Sequence, residues 1–512
     1  MSATTEPWWE TAVVYQIYPR SFADSTGTGV GDLPGITARL DHVAELGVDA
    51  VWLSPIYRSP MADFGYDISD HCAVDELFGT LADADAFIAR AHELGLRVVF
   101  DVVFNHTSDQ HPWFQRALAD PTSVERDRYV WRPPAPDGGP PNNWRAAFGD
   151  VPAWTLDAAS GQYYLHLFLS EQPDLDWNHP DVPEAMADVL RFWMDRGVDG
   201  FRADVIHCIG KDASLPDAPE DLAALPACIF DHGPGTHAQL RFLRSVVDAE
   251  EPSRMLLGET YVFDRAQVRS YLGDGDELHL GFNIPALHAA WDADAWRAEL
   301  ADAEARYTGG TQPAWVLSNH DVARHATRYG SEARARAAAV LLLCLRGTPF
   351  LYAGEELGLV DAEIGADQRV DPGGRDGCRA PIPWDATEHH GWPSEPWLPF
   401  PPGADTHNVA RERGDASSML EHYRRLLRLR RATPALHAGT CEVLDSDPDV
   451  LRWRRTDAQG HAVEIEVNFA GETRPARSSG TWIGGTRPES EPPAPGEELG
   501  PDEARITSIE AT

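Results

Sequence analysis

Residues 81–106 read LADADAFIARAHELGLRVVFDVVFNH. The first half places apolar residues at helical spacing and stops at Gly95, a residue type that commonly ends helices. The second half, RVVFDVVFNH (97–106), is a β-branched and aromatic run suited to a buried strand. Upstream, VVYQIY (13–18) and AVWLSP (50–55) are two more such runs, with the helical pattern ITARLDHVAELG (36–47) between them. Strand, helix, strand is the grammar of a parallel sheet.

After His106 the grammar breaks. Residues 107–175 are rich in Pro, Trp, Asp and Gly, with PPAPDGGPPNNW (133–144) the loosest piece. An ordinary connection from strand to helix is about 2–6 residues, so this segment is expected to be an inserted subdomain after strand 3. The alternation then resumes: helix 183–196, strand 200–204, helix 237–249, strand 255–259, strand 277–282, helix 285–303, strand 314–318, helix 331–346 and strand 349–353. Residues 354–417 form a second irregular stretch, and the amphipathic helix 418–432 closes the series.

Eight strands predict an α/β chain built on a (β/α)8 TIM barrel from residues 1–106 and 176–435, with 107–175 capping it. Alternation in VLRWRR (450–455) and AVEIEVNF (462–469) predicts a small C-terminal β-sandwich over 436–512. The last thirty or so residues, rich in Pro, Glu and Gly, are expected to be loosely ordered.

The chain has 512 residues, 43% hydrophobic and 24% charged, an ordinary balance for a globular enzyme. A formal net charge of −38 argues against nucleic acid and anionic membrane surfaces as partners. Basic residues are nearly all arginine, and Lys211 is the only lysine. The six cysteines (Cys72, Cys208, Cys228, Cys344, Cys378, Cys441) show no C-x-x-C spacing, so no zinc or redox centre is expected. MSATTEPWWE lacks the features of a secretory signal, and AAAVLLLCL (337–345) falls far short of the about 18 apolar residues a membrane span needs. A cytoplasmic, reduced protein is the expectation, with its oligomeric state open.

Three of the strand-like runs end in acids: Asp204 in GFRADVIH (200–207), Glu259 in LLGET (256–260) and Asp321 in VLSNHD (316–321). Asp101 and His106 end a fourth. A parallel barrel gathers such tips on one face, where its active sites sit. In a strand, Arg202 and Asp204 share one side while Phe201 and Ala203 share the other. Two buried charges are costly unless paired in a polar site. Each acid has a structural alternative: an Arg202–Asp204 pair, a loop-amide acceptor at Glu259, a helix cap at Asp321. Together they match retaining glycoside hydrolysis, which needs a nucleophilic carboxylate and a protonated acid about 5–5.5 Å apart.

Seven motifs then occur in order: GVDAVWLSPIY (47–57), DVVFNH (101–106), QPDLDW (172–177), GFRADVIH (200–207), GET (258–260), SNHD (318–321) and GTPFLYAGEE (347–356). The chain thereby resembles the α-amylase family (glycoside hydrolase family 13), in its α-glucosidase and oligo-1,6-glucosidase branch, over roughly residues 8–435. The resemblance implies Asp204 as nucleophile, Glu259 as acid/base and Asp321 as transition-state stabiliser. It implies that Arg202 holds the nucleophile and that His106 and His320 bind sugar hydroxyls. Asp63 and Tyr66, in MADFGYD (61–67), match the acid and stacking tyrosine of the same pocket. Arg379, in RDGCRAPIPW (375–384), matches an arginine of the pocket floor. Asp101 is expected to orient Arg202. Among the aromatics, Phe104 and those of the inserted segment are expected to reach the pocket.

Relatives often carry an acidic cation loop where this chain has DSTGTGVGD (24–32). Asp24 and Asp32 remain, but Thr26 and Thr28 take the middle positions, so Ca²⁺ or Mg²⁺ binding is expected to be weak or absent. No other cofactor is implied. Val205, directly after the nucleophile, goes in this branch with α-1,6 linkages. The resemblance thus implies an exo-acting α-glucosidase acting on short oligosaccharides, leaning to α-1,6 bonds with some α-1,4 activity. Its rivals are a transglucosidase or a trehalose- or sucrose-isomerising enzyme using the same intermediate, and a non-catalytic amylase-like binding module.

Overall fold

The computed structural model describes residues 7–230, 232, 233, 235–249 and 252–509. Eight parallel strands form one ring: β1 (Val14–Ile17), β2 (Ala50–Leu53), β3 (Arg97–Val103), β4 (Gly200–Asp204), β5 (Met255–Gly258), β6 (Leu280–Gly281), β7 (Ala314–Val316) and β8 (Thr348–Tyr352). Neighbours pair in the order β6-β5-β4-β3-β2-β1-β8-β7. The ring closes where Phe282 and Ala314 form a parallel bridge, with the Asn283 N–H donating to the Ala314 carbonyl at 3.0 Å. The chain is an α/β TIM barrel.

The period of two along each strand divides its side chains between two cores. Val14, Ala50, Trp52, Val99, Met255 and Leu257 fill the barrel interior. Their neighbours Tyr15, Val51, Leu53, Val98, Phe100 and Leu256 face the surrounding helices. Those helices are α1 (Leu33–Leu46), α2 (Leu81–Glu93), α3 (Asp181–Met194), α4 (Thr236–Asp248), α5 (Arg265–Ser270), α6 (Ala293–Arg306), α7 (Glu332–Cys344) and α8 (Met419–Ala432). Local chemistry sets their ends. Asp32 caps α1 by accepting the Gly35 N–H at 2.7 Å, and Gly47 ends it at φ 99°. Thr80 and Asp83 form a capping box on α2.

Two helices differ from expectation. The pattern over 285–303 is split into a turn, Ile284–Leu287, and α6, because Asp292 caps a fresh start by accepting the Ala295 N–H at 2.8 Å. The short α5 carries too little periodicity to register in the sequence.

Between β3 and α3 lie the helix Pro112–Ala119 and a three-stranded antiparallel sheet of Trp131–Arg132, Trp154–Asp157 and Gln162–Leu165. The loop after β4 packs onto it: the Trp144 indole donates to the Pro216 carbonyl at 2.9 Å, and Val130, Trp154, Leu165, Cys208 and Ala227 share one core.

The C-terminal strands β9 (Thr440–Leu444), β10 (Val450–Thr456), β11 (Ala462–Asn468), β12 (Thr481–Gly485) and β13 (Ala504–Ile509) form a single antiparallel sheet, ordered β9-β10-β11-β13-β12. The expected sandwich has one sheet rather than two among the described residues. Helices of the barrel supply its second layer: the Trp453 indole and the Arg455 guanidinium both donate to the Cys344 carbonyl at the end of α7. The tail expected to be loose provides β12 and β13, since Ile506 is needed to complete the core with Ile465. Residues 1–6 and 510–512, the outer ends of the expected barrel and C-terminal segments, lie outside the described residues.

Candidate active site

The inward parity that places Val99 in the barrel also turns Asp101 inward, one layer nearer the C-terminal face. Register pairs Asp101 with Arg202, and Arg202 with Leu257. One buried guanidinium therefore meets three acids from three adjacent strands. Arg202 Nη1 lies 2.9 Å from Asp101 Oδ1 and 2.6 Å from Asp204 Oδ1, and Nη2 lies 2.7 Å from Glu259 Oε2. Asp101 also accepts from the Trp52 indole and the Tyr66 hydroxyl. Burial pushes the Asp204 carboxyl well above the usual carboxylate range, against the pull of Arg202 and with a further push from Glu259 and Asp101. Burial likewise pushes Asp101 up to about 6 despite Arg202. One positive charge faces three buried carboxylates, so the Asp101 and Asp204 carboxyls both resist ionisation.

A second cluster is assembled from loops. Arg375 Nη2 lies 2.6 Å from Asp63 Oδ1 and 2.7 Å from Asp371 Oδ1, while Nη1 lies 2.9 Å from Asp321 Oδ1. Arg379 Nη2 supports Asp321 from behind at 3.1 Å. Asp63 is fixed by its own loop, where Asp67 accepts the N–H groups of Ala62 and Asp63 at 2.9 Å each. Burial works against ionising Asp321, but the Arg375 and Arg379 guanidiniums outweigh it and hold that carboxyl well below the usual range. His320 is stacked between Tyr18 and Tyr66, accepts on Nδ1 from the Gln16 amide at 2.7 Å, and presents Nε2 to the Tyr66 hydroxyl at 2.6 Å. Burial lowers His320 to about 3, so the ring is neutral.

The two clusters open into one cavity of ≈ 290 Å³. Asp63, Tyr66, His106, Asp204, Glu259 and Asp321 line its polar side, with Arg375. Phe148 and Phe168 of the inserted segment, Pro226, Cys228 and Ile229 of the loop after β4, and Val205 and Tyr261 line the apolar side. Val205 sits at φ 33°, a left-handed conformation costly for a β-branched residue. This turn aims its N–H at Glu259 Oε2, 3.1 Å away.

Of the residues singled out in the sequence, Asp63, Tyr66, His106, Asp204, Val205, Glu259 and Asp321 line the cavity, while Arg202, His320 and Arg379 stand directly behind it. Phe104 is a correction. It has the outward parity of Phe100 and Val102, is fully buried, and packs edge-on against Trp177 at 5.9 Å.

The sequence does not single out Arg375, Asp371, Gln172, Tyr261 or the 226–229 segment. Arg375 and Gln172 do lie within recognisable motifs. In RDGCRAPIPW it is the first arginine that faces the cavity, and the second that braces it. The others depend on loop paths that no local pattern encodes.

In the 24–32 loop both retained carboxylates accept hydrogen bonds from within the chain. Asp24 accepts the N–H groups of Thr26, Gly27 and Gly29 at 2.7–2.9 Å, and Asp32 is spent on Ser25 and the α1 cap. Among the described residues, no group of three or more His, Cys, Asp or Glu is placed to hold a metal.

Residues 16–439 match the family model described as alpha amylase, catalytic domain. The chain belongs to the α-amylase family. It is 42% identical over 490 residues to a probable α-glucosidase of Rhizobium meliloti (strain 1021), covering 89% of each chain. It is 36% identical over 514 residues to an oligo-1,6-glucosidase of Halalkalibacterium halodurans, covering 91% of each. Its fold superimposes on the crystal structure of an α-glucosyl transfer enzyme with a TM-score of 0.92 at 40% identity, covering 99% of this chain and 100% of that one. This member of the α-amylase family is a glycoside hydrolase. No helix among its described residues is long and apolar enough to cross a membrane.

Proposed function

We propose that the chain is a retaining, exo-acting α-glucosidase that removes terminal glucose from short oligosaccharides, leaning to α-1,6 linkages. The observation that carries this reading is the shared guanidinium: Asp204 and Glu259 bind the two terminal nitrogens of Arg202 and both face the cavity. Two carboxylates one guanidinium apart suit the retaining spacing of about 5–5.5 Å rather than the wider inverting one. The inserted segment and the loop after β4 wall off the far side, which suits a chain end rather than a chain interior.

In the proposed reaction Asp204 attacks C1 while Glu259 gives a proton to the departing oxygen. A covalent β-glucosyl ester forms and the glycosidic bond breaks. Glu259 then takes a proton from water, which attacks C1, frees Asp204 and restores the α configuration. Asp321, fixed as an anion, stabilises the oxocarbenium-like ring, and Asp63, His106 and Tyr66 hold its hydroxyls and face. Neither step needs a metal or organic cofactor. Six scattered cysteines without C-x-x-C spacing suit a reduced, cytoplasmic setting.

Likeness to an α-glucosyl transfer enzyme favours a second reading, in which a sugar hydroxyl replaces water in the second step. Comparing kcat/KM on isomaltose and maltose, with products identified by chromatography, tests both. Hydrolysis with isomaltose preferred is the expected result. A strong maltose preference overturns the linkage assignment, and new disaccharides as main products favour transfer. An Asp204→Asn variant as active as wild type on p-nitrophenyl α-glucoside overturns the glucosidase reading itself.

A further inference from the structure

The chain carries one lysine among 43 lysine and arginine residues, and it is buried beside the pocket. Lys211 stands on the loop after β4, 7% exposed. Its Nζ donates to Asn105 Oδ1 at 2.7 Å and to the Cys208 carbonyl at 2.9 Å, and lies 3.5 Å from Asp174 Oδ2. Two hydrogen bonds and one ion pair surround the tetrahedral ammonium, whereas a planar guanidinium fork demands a different arrangement.

What it touches leads to the pocket. An ammonium has no acceptor, so it turns the Asn105 amide with Oδ1 toward itself. Asn105 Nδ2 is thereby directed to Asp174 Oδ1, 2.6 Å away, and to His106 Nδ1, 3.2 Å away. On the other side of the ring Gln172 has its Oε1 occupied by the Leu169 N–H, so its Nε2 faces His106 Nε2 at 3.0 Å and Asp63 Oδ2 at 3.0 Å. Asn105, Asp174 and Gln172 are all fully buried, and Asp174 pairs in a bridge with His106 across the start of the inserted segment. Burial and the Lys211 charge together lower His106 to about 3, so the ring stays neutral, with one nitrogen accepting and the other carrying the proton between the Asn105 and Gln172 amides.

We propose that Lys211 is a positioning residue for the sugar-binding wall: through Asn105 and Asp174 it fixes His106, and with it the Gln172–Asp63 contact, from a loop that itself makes no sugar contact at Lys211. The proposal deepens the glucosidase reading and borrows from it only the probe, D-glucose.

A single lysine makes the test direct. Protein labelled with [¹⁵Nζ]lysine gives one side-chain ammonium signal. Tryptophan fluorescence reports glucose binding independently. At saturating glucose the Nζ signal is expected to move. If glucose binds and the signal stays fixed, the proposal is overturned; if glucose does not bind at all, it is the glucosidase reading that is in trouble. Kinetics supply a second readout. Lys211→Met is expected to lower kcat/KM on p-nitrophenyl α-glucoside about tenfold, and to add less than about twofold when His106 is already Ala, because the two residues act as one unit. Full additivity contradicts the proposal, and should Lys211→Met not fold, the wild-type ammonium signal decides alone.

Discussion

The two halves of the pocket reach the same end by different means. The Arg202 half stands on β3, β4 and β5, where the pleat turns Asp101, Arg202 and Asp204 inward and parallel register brings them together. The Arg375 half hangs on loops after β2, β7 and β8, and only its arginine bridges draw Asp63, Asp321 and Asp371 into one place. The first crowds three acids on one cation and makes Asp101 and Asp204 harder to ionise. The second surrounds Asp321 with two cations and strips its proton away. One half is thus equipped to pass a proton and attack, the other to hold a fixed negative charge beside the ring.

Removing the central cation of each half is the severest way to break that contrast. Arg202→Met leaves three buried carboxylates without their partner, which is expected to cost about 3–5 kcal/mol of stability. Its kcat is expected to fall about 10³-fold as the reacting groups lose their electrostatic frame. Arg375→Met is expected to cost about 10²-fold in kcat/KM, mostly through KM, with a small change in melting temperature. Equal losses in the same parameter from both variants contradict the division of labour.

A milder probe uses pH. Asp101 is raised from an ordinary 3.8 to about 6, so between those values the folded chain holds a proton that the unfolded chain has lost. Stability from this group is present below pH ~4 and is lost as pH rises toward about 6. Asp321 has the opposite sign: its folded form stays ionised below the ordinary 3.8, so its contribution is present above that value and is lost as pH falls below it. Melting curves against pH should therefore flatten between pH ~4 and ~6 in Asp101→Asn, and lose part of their acid-side slope in Asp321→Asn. Two variants that change the same limb would merge the halves into a single electrostatic unit.

The smallest expected effect falls at the seam. Val205 carries the amide that meets Glu259 and a side chain that faces the cavity. Val205→Thr keeps the β-branch and adds a hydroxyl, so the ratio of kcat/KM on isomaltose to that on maltose is expected to drop by about tenfold. An unchanged ratio moves linkage choice away from this residue.

The same contrast marks what the sequence makes legible. Buried parallel strands appear as apolar runs, and a charge inside such a run is conspicuous because burying it unpaired is costly. Asp101, Arg202 and Asp204 are therefore legible together as a paired set of charges at strand ends. Loop positions offer no such signal. Arg375 and Arg379 are separated by one turn of a short helix, and only tertiary packing decides which faces sugar and which backs Asp321. The wall at 226–229 owes its place to contacts with the inserted segment far away in sequence, including the bridge between Arg145 and Pro226. The C-terminal sheet shows the same limit: its alternating strands are legible, but that helices, and not a second sheet, cover its inner face is not.

The account turns on Asp204 becoming a glucosyl ester. Incubation with 5-fluoro-α-glucosyl fluoride, which forms the ester quickly and releases it slowly, followed by intact-mass and peptide mass spectrometry, tests this most directly. One fluoroglucosyl adduct per chain on the peptide containing Asp204, absent from Asp204→Asn, is the predicted result. An active enzyme that shows no adduct under these conditions, or carries it on another residue, contradicts the account.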